Sequence, residues 1–310
     1  MSIELLKSAF ESIQYTTDWS LQLLKITISK REGTRYASRQ IILEPEGKLD
    51  CFVANLAKRY LGSEKGSLSK YIDLREYDGT ADGMTIYKLE KDNTLISAEY
   101  TDFVAAISDP DVEADPIAFT SAYVIKGSTI VGDEDTPIRL VSMQKPITTF
   151  KNKYFLNTNN GNFREFDQNA LNLRPTLEVV IIGTTVYFLN MNGENLFNME
   201  RAYKSVCHER IEEIEASDMI GGLMEFKAVA KSGHNPRKFV SFNYERFEAL
   251  KNPETRREMA EQFGIPLDAD GKLDATDEKA ADHIVKVLCN KGMFDPFNKV
   301  PVEVSSSKPW

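Results

Sequence analysis

The sequence predicts an α+β fold: an N-terminal mixed α/β domain over residues 1–145, followed by a C-terminal domain over residues 146–310 with a small antiparallel sheet and several helices. Three observations carry this. Segments of helical and strand periodicity alternate through the first half. Two hairpin signals follow, NNG at 159–161 and Gly183-Thr184, each flanked by aromatic or β-branched residues. Beyond residue 199 the pattern turns mainly helical.

In order, an amphipathic helix is expected over residues 3–13, strands over 21–28 and 36–43, and a helix over 50–61. Strands follow at 71–76 and 84–89, then a helix over 99–107 that stops at Asp109-Pro110. DPDVEADP, 109–116, reads as a solvated acidic loop, because clustered carboxylates repel one another into water. Strands at 119–126 and 138–143 are separated by the loop GDEDTP. After the two hairpins, a helix over 199–215 places Tyr203, Val206, Cys207, Ile211 and Ile214 on one face. Helices are expected over 223–230, parts of 239–250, 253–263 and 277–290. PLDADGKLD forms a turn with short flanking strands. No internal repeat is present.

Length and composition agree with two folded domains: 310 residues, 42% hydrophobic, are enough for more than one core. The start, MSIELLKSAFESIQ, lacks the basic and apolar regions of a secretory signal, and no stretch reaches the roughly 18 apolar residues of a membrane span. A cytoplasmic protein is expected, with any membrane role supplied by a partner. Cys51, Cys207 and Cys289 match no metal or redox spacing and read as reduced, buried thiols. The net charge of −9 disfavours wholesale capture of nucleic acid but not a local basic face. Residues 1–145 carry 17 Lys+Arg against 23 Asp+Glu, and the remainder 21 against 24, so the second half is the better place for one.

The chemical motifs fail individually. LDADGKLDATDE has four aspartates, but counting from Asp268 puts Lys272 and Leu273 where a calcium loop needs an oxygen ligand and glycine. Cys207 and His208 are neighbours on a helix, pointing about 100° apart, so they make no nucleophile and base pair. GSTIVGDEDT lacks the Gly-Lys-Ser/Thr of a phosphate-binding loop. Asp73, Glu76 and Glu90 with Lys91 could contribute to a metal-dependent nuclease core, a pattern that also arises by chance in charged α/β chains. No catalytic residue, metal or cofactor is assigned.

KSGHNPRKF, residues 231–239, is the richest local signal. Lys227 and Lys231 suit the last turn of a helix, Gly233 its left-handed end, and Asn235-Pro236 the cap and first position of the next. Arg237 and Lys238 then stand at a helix start, where phosphate contact and plain structural capping are both open readings. FKNKYFLNTNNGNFREF adds Lys151, Lys153 and Arg164 among aromatics, a pattern shared by base-stacking surfaces and ordinary amphipathic strands.

Taken in order, IRLVSMQKPITTFKNKYFL, TLEVVIIGTTVYFLNMNGENLFNMERAY, MEFKAVAKSGHNPRKFVSF and FGIPLDADGKLDATDEKAADHIVKVL resemble the Kiwa anti-phage defence protein B (KwaB) family over residues 138–310. The resemblance implies a cytoplasmic bacterial protein that forms a homodimer or higher homo-oligomer and binds DNA. It also implies work with a small membrane-spanning partner, recruitment to the inner membrane by that partner, and arrest of phage replication or transcription. The expected DNA-binding residues are Lys151, Lys153, Arg164, Lys227, Lys231, Arg237 and Lys238. The N-terminal domain is expected to serve assembly or partner contact. A metal-dependent nuclease and an assembly protein without DNA contact are the competing expectations.

Overall fold

A computed structural model describes residues 3–29, 33–62, 67–80, 83–148, 156–159, 162–165, 170–295 and 300–303. Its contacts divide the chain into two compact units, Met1–Glu76 with Gly83–Asn198, and Tyr77–Asp82 with Met199–Trp310. The mixed α and β content matches the predicted class.

The first unit is built on an eight-stranded sheet. Its strands are β1 (Ser20–Ser29), β2 (Gly33–Ile41), β3 (Asp73–Glu76), β4 (Thr85–Glu90), β5 (Ala122–Val131), β6 (Glu134–Ser142), β11 (Val179–Ile182) and β12 (Thr185–Phe188), in the spatial order β2-β1-β5-β6-β11-β12-β4-β3. All neighbours are antiparallel except β3 and β4. The short strands between β6 and β11 form two further pairs, β7 (Ile147–Thr148) with β10 (Ala170–Leu171) and β8 (Leu156–Asn159) with β9 (Asn162–Glu165).

Side chains alternate across the pleat. Leu21 and Leu23 of β1, Tyr123 and Ile125 of β5 and Ile138 and Leu140 of β6 enter one core with α1 (Ile3–Ile13) and α2 (Lys48–Leu61). Helix α1 supplies Leu6, Ala9, Phe10 and Ile13, a spacing that stacks them on one face, and Phe10 stacks on Tyr60 of α2 at 5.1 Å. The other side of β1 presents Gln22, whose amide donates to the Ile107 carbonyl near the end of α3 (Ser97–Ser108); Lys126 of β5 donates to the same oxygen at 2.6 Å. Both bonds go to one helix-terminal carbonyl that lacks an intrahelical partner.

Several loops differ from expectation. GDEDTP is mostly strand: β5 and β6 continue to Val131 and Glu134, leaving a two-residue turn with Gly132 at φ 65°. The acidic segment 109–116 is exposed in part but ordered. Asp111 donates its N–H to the Ser38 carbonyl and accepts from Gln40 N–H, covering the edge of β2. Its carboxylate accepts from Ala114 and Glu113 N–H, which holds it below the usual carboxylate range.

The division at residue 145 also differs from the observed one. The strands of LEVVIIGTTVYFLN lie beyond 145, yet β11 pairs with β6 and β12 with β4, so this hairpin completes the large sheet instead of founding a small one. The contact division falls at Asn198.

The second unit is mainly helical: α4 (Met199–Ala216), α5 (Leu223–Ala230), α6 (Asn235–Lys238), α7 (Tyr244–Ala249), α8 (Pro253–Phe263) and α9 (Glu278–Leu288). A parallel pair, β13 (Ile220–Gly221) with β14 (Leu273–Asp274), and an antiparallel pair, β15 (Gly292–Asp295) with β16 (Val300–Glu303), complete it. Its core joins Cys207, Ile211 and Ile214 of α4 to Phe226, Phe239, Phe247 and the apolar face of α9. Helix α8 begins where the sequence places it, because Asn252 accepts from the Glu254 N–H and Pro253 occupies the first turn.

Candidate nucleic-acid interface

The basic loop lies between α5 and α6. Lys231 caps α5, its N–H bonded to the Lys227 carbonyl, and Gly233 follows at φ 52° with open space where a side chain would stand. The left-handed end expected of Gly233 is therefore present. Lys231 is exposed and has no ion-pair partner among the described residues. Lys227 forms an ion pair with Glu215 of α4 at 2.7 Å.

The start of α6 differs from expectation. His234, not Asn235, is the N-cap residue, and the Asn235 amide instead donates back to the Val229 carbonyl of α5. With only four residues, α6 has too little aligned backbone to make an anion site of its own. Its two cations are held from inside the unit. The Arg237 guanidinium lies 5.7 Å from the ring centres of both Tyr77 and Tyr203, and its Nε donates to the Tyr77 hydroxyl at 2.9 Å. The two tyrosine rings are stacked and their hydroxyls are 2.5 Å apart. Lys238 reaches Asp282 at 3.6 Å, and Lys286 reaches the same carboxylate at 2.9 Å. Burial pushes the Asp282 carboxyl up, but the Lys286 hydrogen bond and the charges of both lysines outweigh it and hold the group below its ordinary value.

Tyr77 belongs to a short excursion of the chain grouped with the second unit, in which residues 77–80 contact α4, α6 and the residues around them. Gly79 sits at φ 77° where a Cβ would stand 2.4 Å from the Arg237 carbonyl oxygen. The Asp78 carbonyl accepts from the Ser241 hydroxyl, and the buried Lys291 ammonium donates to the Thr80 hydroxyl at 2.9 Å with the Asp78 carboxylate 4.0 Å away. These anchors were not readable in the sequence, since Tyr77 meets partners 126 and 160 residues away and Thr80 one 211 away.

Of the other expected DNA-binding residues, Lys151 and Lys153 lie outside the described residues. Arg164 falls on β9, its backbone opposite Asn157 of β8.

The competing motifs have local partners. Asp268 accepts from the N–H groups of Asp270 and Lys272, Asp274 from Thr276, and Asp277 caps α9 through Ala280. On β3 and β4, Glu76 pairs with Lys88 at 2.5 Å, Asp73 lies 3.9 Å from Arg75, and Glu90 accepts from the Thr185 hydroxyl. Among the described residues no three His, Cys, Asp or Glu side chains form a metal-sized cluster. Cys207 is buried, which pushes its thiol up to about 11, while His208 is exposed and lies 3.3 Å from Glu212. Burial pushes the Cys289 thiol up as well. Cys51, expected to be buried, is exposed. A disulfide reagent at neutral pH is therefore expected to modify Cys51 rapidly, and Cys207 and Cys289 only after unfolding. Fast native labelling of a Cys51→Ser variant would contradict this.

No helix among the described residues is long and apolar enough to cross a membrane. No curated protein and no solved structure matches the chain. One family does, described as Kiwa protein KwaB-like, over residues 130–293. That span begins at the end of β5, takes in β6, β11 and β12, and runs through the basic loop to β15. It covers more than half of the 310 residues, so the chain belongs to the Kiwa protein KwaB-like family and with it to the Kiwa anti-phage defence proteins.

Proposed function

We propose that this protein is a DNA-binding effector of Kiwa defence, which occupies phage DNA through phosphate contacts, blocks its replication or transcription, and acts with a membrane-spanning partner. The observation that carries the reading is the family match, because it includes the basic loop and the hairpin that bears Arg164. Two separate sets of cations are proposed to contact phosphate: Lys151, Lys153 and Arg164 in the first unit, and, in the second, the set Lys227, Lys231, Arg237 and Lys238. Lys231 leads it, being exposed at the tip of a turn with no carboxylate neutralising it among the described residues. The acidic remainder of the chain makes close cations necessary, since repulsion acts over a Debye length of about 8 Å at physiological salt. Residues 1–145 are proposed to serve self-association and partner contact.

Fluorescence anisotropy with two duplexes of unrelated sequence tests the reading. Binding of both with similar affinity is expected, weakening steeply as salt rises. Plasmid incubated with the protein and magnesium is expected to stay intact. Absence of binding at low salt would overturn DNA occupancy, and magnesium-dependent cleavage would replace it with a nuclease.

A further inference from the structure

The first unit carries a cleft of about 940 Å³ that plays no part in the proposed DNA surface. It is bounded by the start of β1, the end of β2, the loop 42–47 and the first turn of α2. The apolar part of its floor comes from Trp19, 8% exposed, and Leu49, with Leu21 buried beneath them. Ile42 stands nearby at 83% exposed, a large apolar side chain with no cover from its own unit. Four carboxylates line the same space, Asp18, Glu44, Glu46 and Asp50, and no Lys or Arg does. None of the four has an ion-pair partner among the described residues.

These features together select a kind of ligand. A cleft lined by one sign of charge over low-dielectric walls concentrates the field and draws in the opposite charge. A single metal ion does not suit it, because the described carboxylates do not gather into a cluster of three around one point. Spread carboxylates match spread cations, and the apolar floor with Ile42 offers a place for a large side chain between them. We propose that this cleft docks a segment of a partner protein in which Lys or Arg residues flank one or two large apolar side chains. The reading stands apart from DNA binding, which would use other residues and the opposite charge.

The test uses the full chain and three fluorescein-labelled peptides, KKFLKR, KKSSKR and EEFLEE. Binding of KKFLKR in the micromolar range is expected, at least tenfold weaker in Glu44→Gln/Glu46→Gln, whose exposed side chains leave the melting temperature unchanged. The control Glu254→Gln/Glu258→Gln removes two exposed carboxylates on α8 and should retain full affinity. KKSSKR should bind several-fold more weakly and EEFLEE not at all. Equal affinity for KKFLKR and KKSSKR, or equal loss in both double variants, would reduce the effect to net charge and overturn the proposal. So would no peptide binding accompanied by self-association that Glu44→Gln/Glu46→Gln abolishes, which would make a second copy the occupant.

Discussion

Gly79→Ala is expected to destabilise the protein by about 3 kcal/mol, from two separable causes. At φ 77° an alanine pays about 1 kcal/mol for the left-handed backbone. The added Cβ would also stand 2.4 Å from the Arg237 carbonyl oxygen and 3.4 Å from the Val240 Cβ, and the first of these neighbours is backbone, which cannot rotate away. Overpacking of this kind costs about 1–3 kcal/mol. The adjacent control is Gly83→Ala, where nothing lies within 4 Å and the backbone is not left-handed, so little change is expected. Urea unfolding of the two variants measures the difference. Equal stabilities would mean that residues 77–80 are not packed against α6 in solution.

The contrast between Gly79 and the longer elements shows what the sequence could and could not reveal. Helices α1, α4 and α8 were readable because a period of 3.6 repeats over three turns or more, and at α8 Asn252 and Gly264 also mark the two ends. The Gly183-Thr184 hairpin was readable for the same local reason, but its place in the sheet was not. Pairing of β11 with β6 and β12 with β4 is a long-range choice with no local signature, and it moves the boundary between units from 145 to 198. Strands β15 and β16, four residues each, are too short for a period to register. At the candidate site, the cations of the basic loop were visible as composition. Their partners, Tyr77, Tyr203 and Asp282, were not, because only the fold brings them to α6.

Those partners change what is expected of the loop. Arg237→Ala/Lys238→Ala should lower stability by about 2 kcal/mol, because it removes a cation shared between two buried tyrosine rings and leaves Asp282 with Lys286 alone. A fall of several degrees in melting temperature follows. Lys231→Ala should leave melting unchanged, since the side chain is exposed and unpaired among the described residues. In DNA binding the order reverses. Each phosphate contact contributes about 0.9 to the slope of log affinity against log salt, so Lys231→Ala should flatten the slope by about 1. The double variant should flatten it by less than 1, because phosphate must compete with the tyrosine faces and with the Asp282 carboxylate for cations already held. Both quantities are measured on the same folded samples, below the melting transition. A slope flatter by about 2 in the double variant would show that both cations leave their internal partners for DNA. An unchanged slope in Lys231→Ala would remove the loop tip from the binding surface and leave Lys151, Lys153 and Arg164 as the proposed contacts.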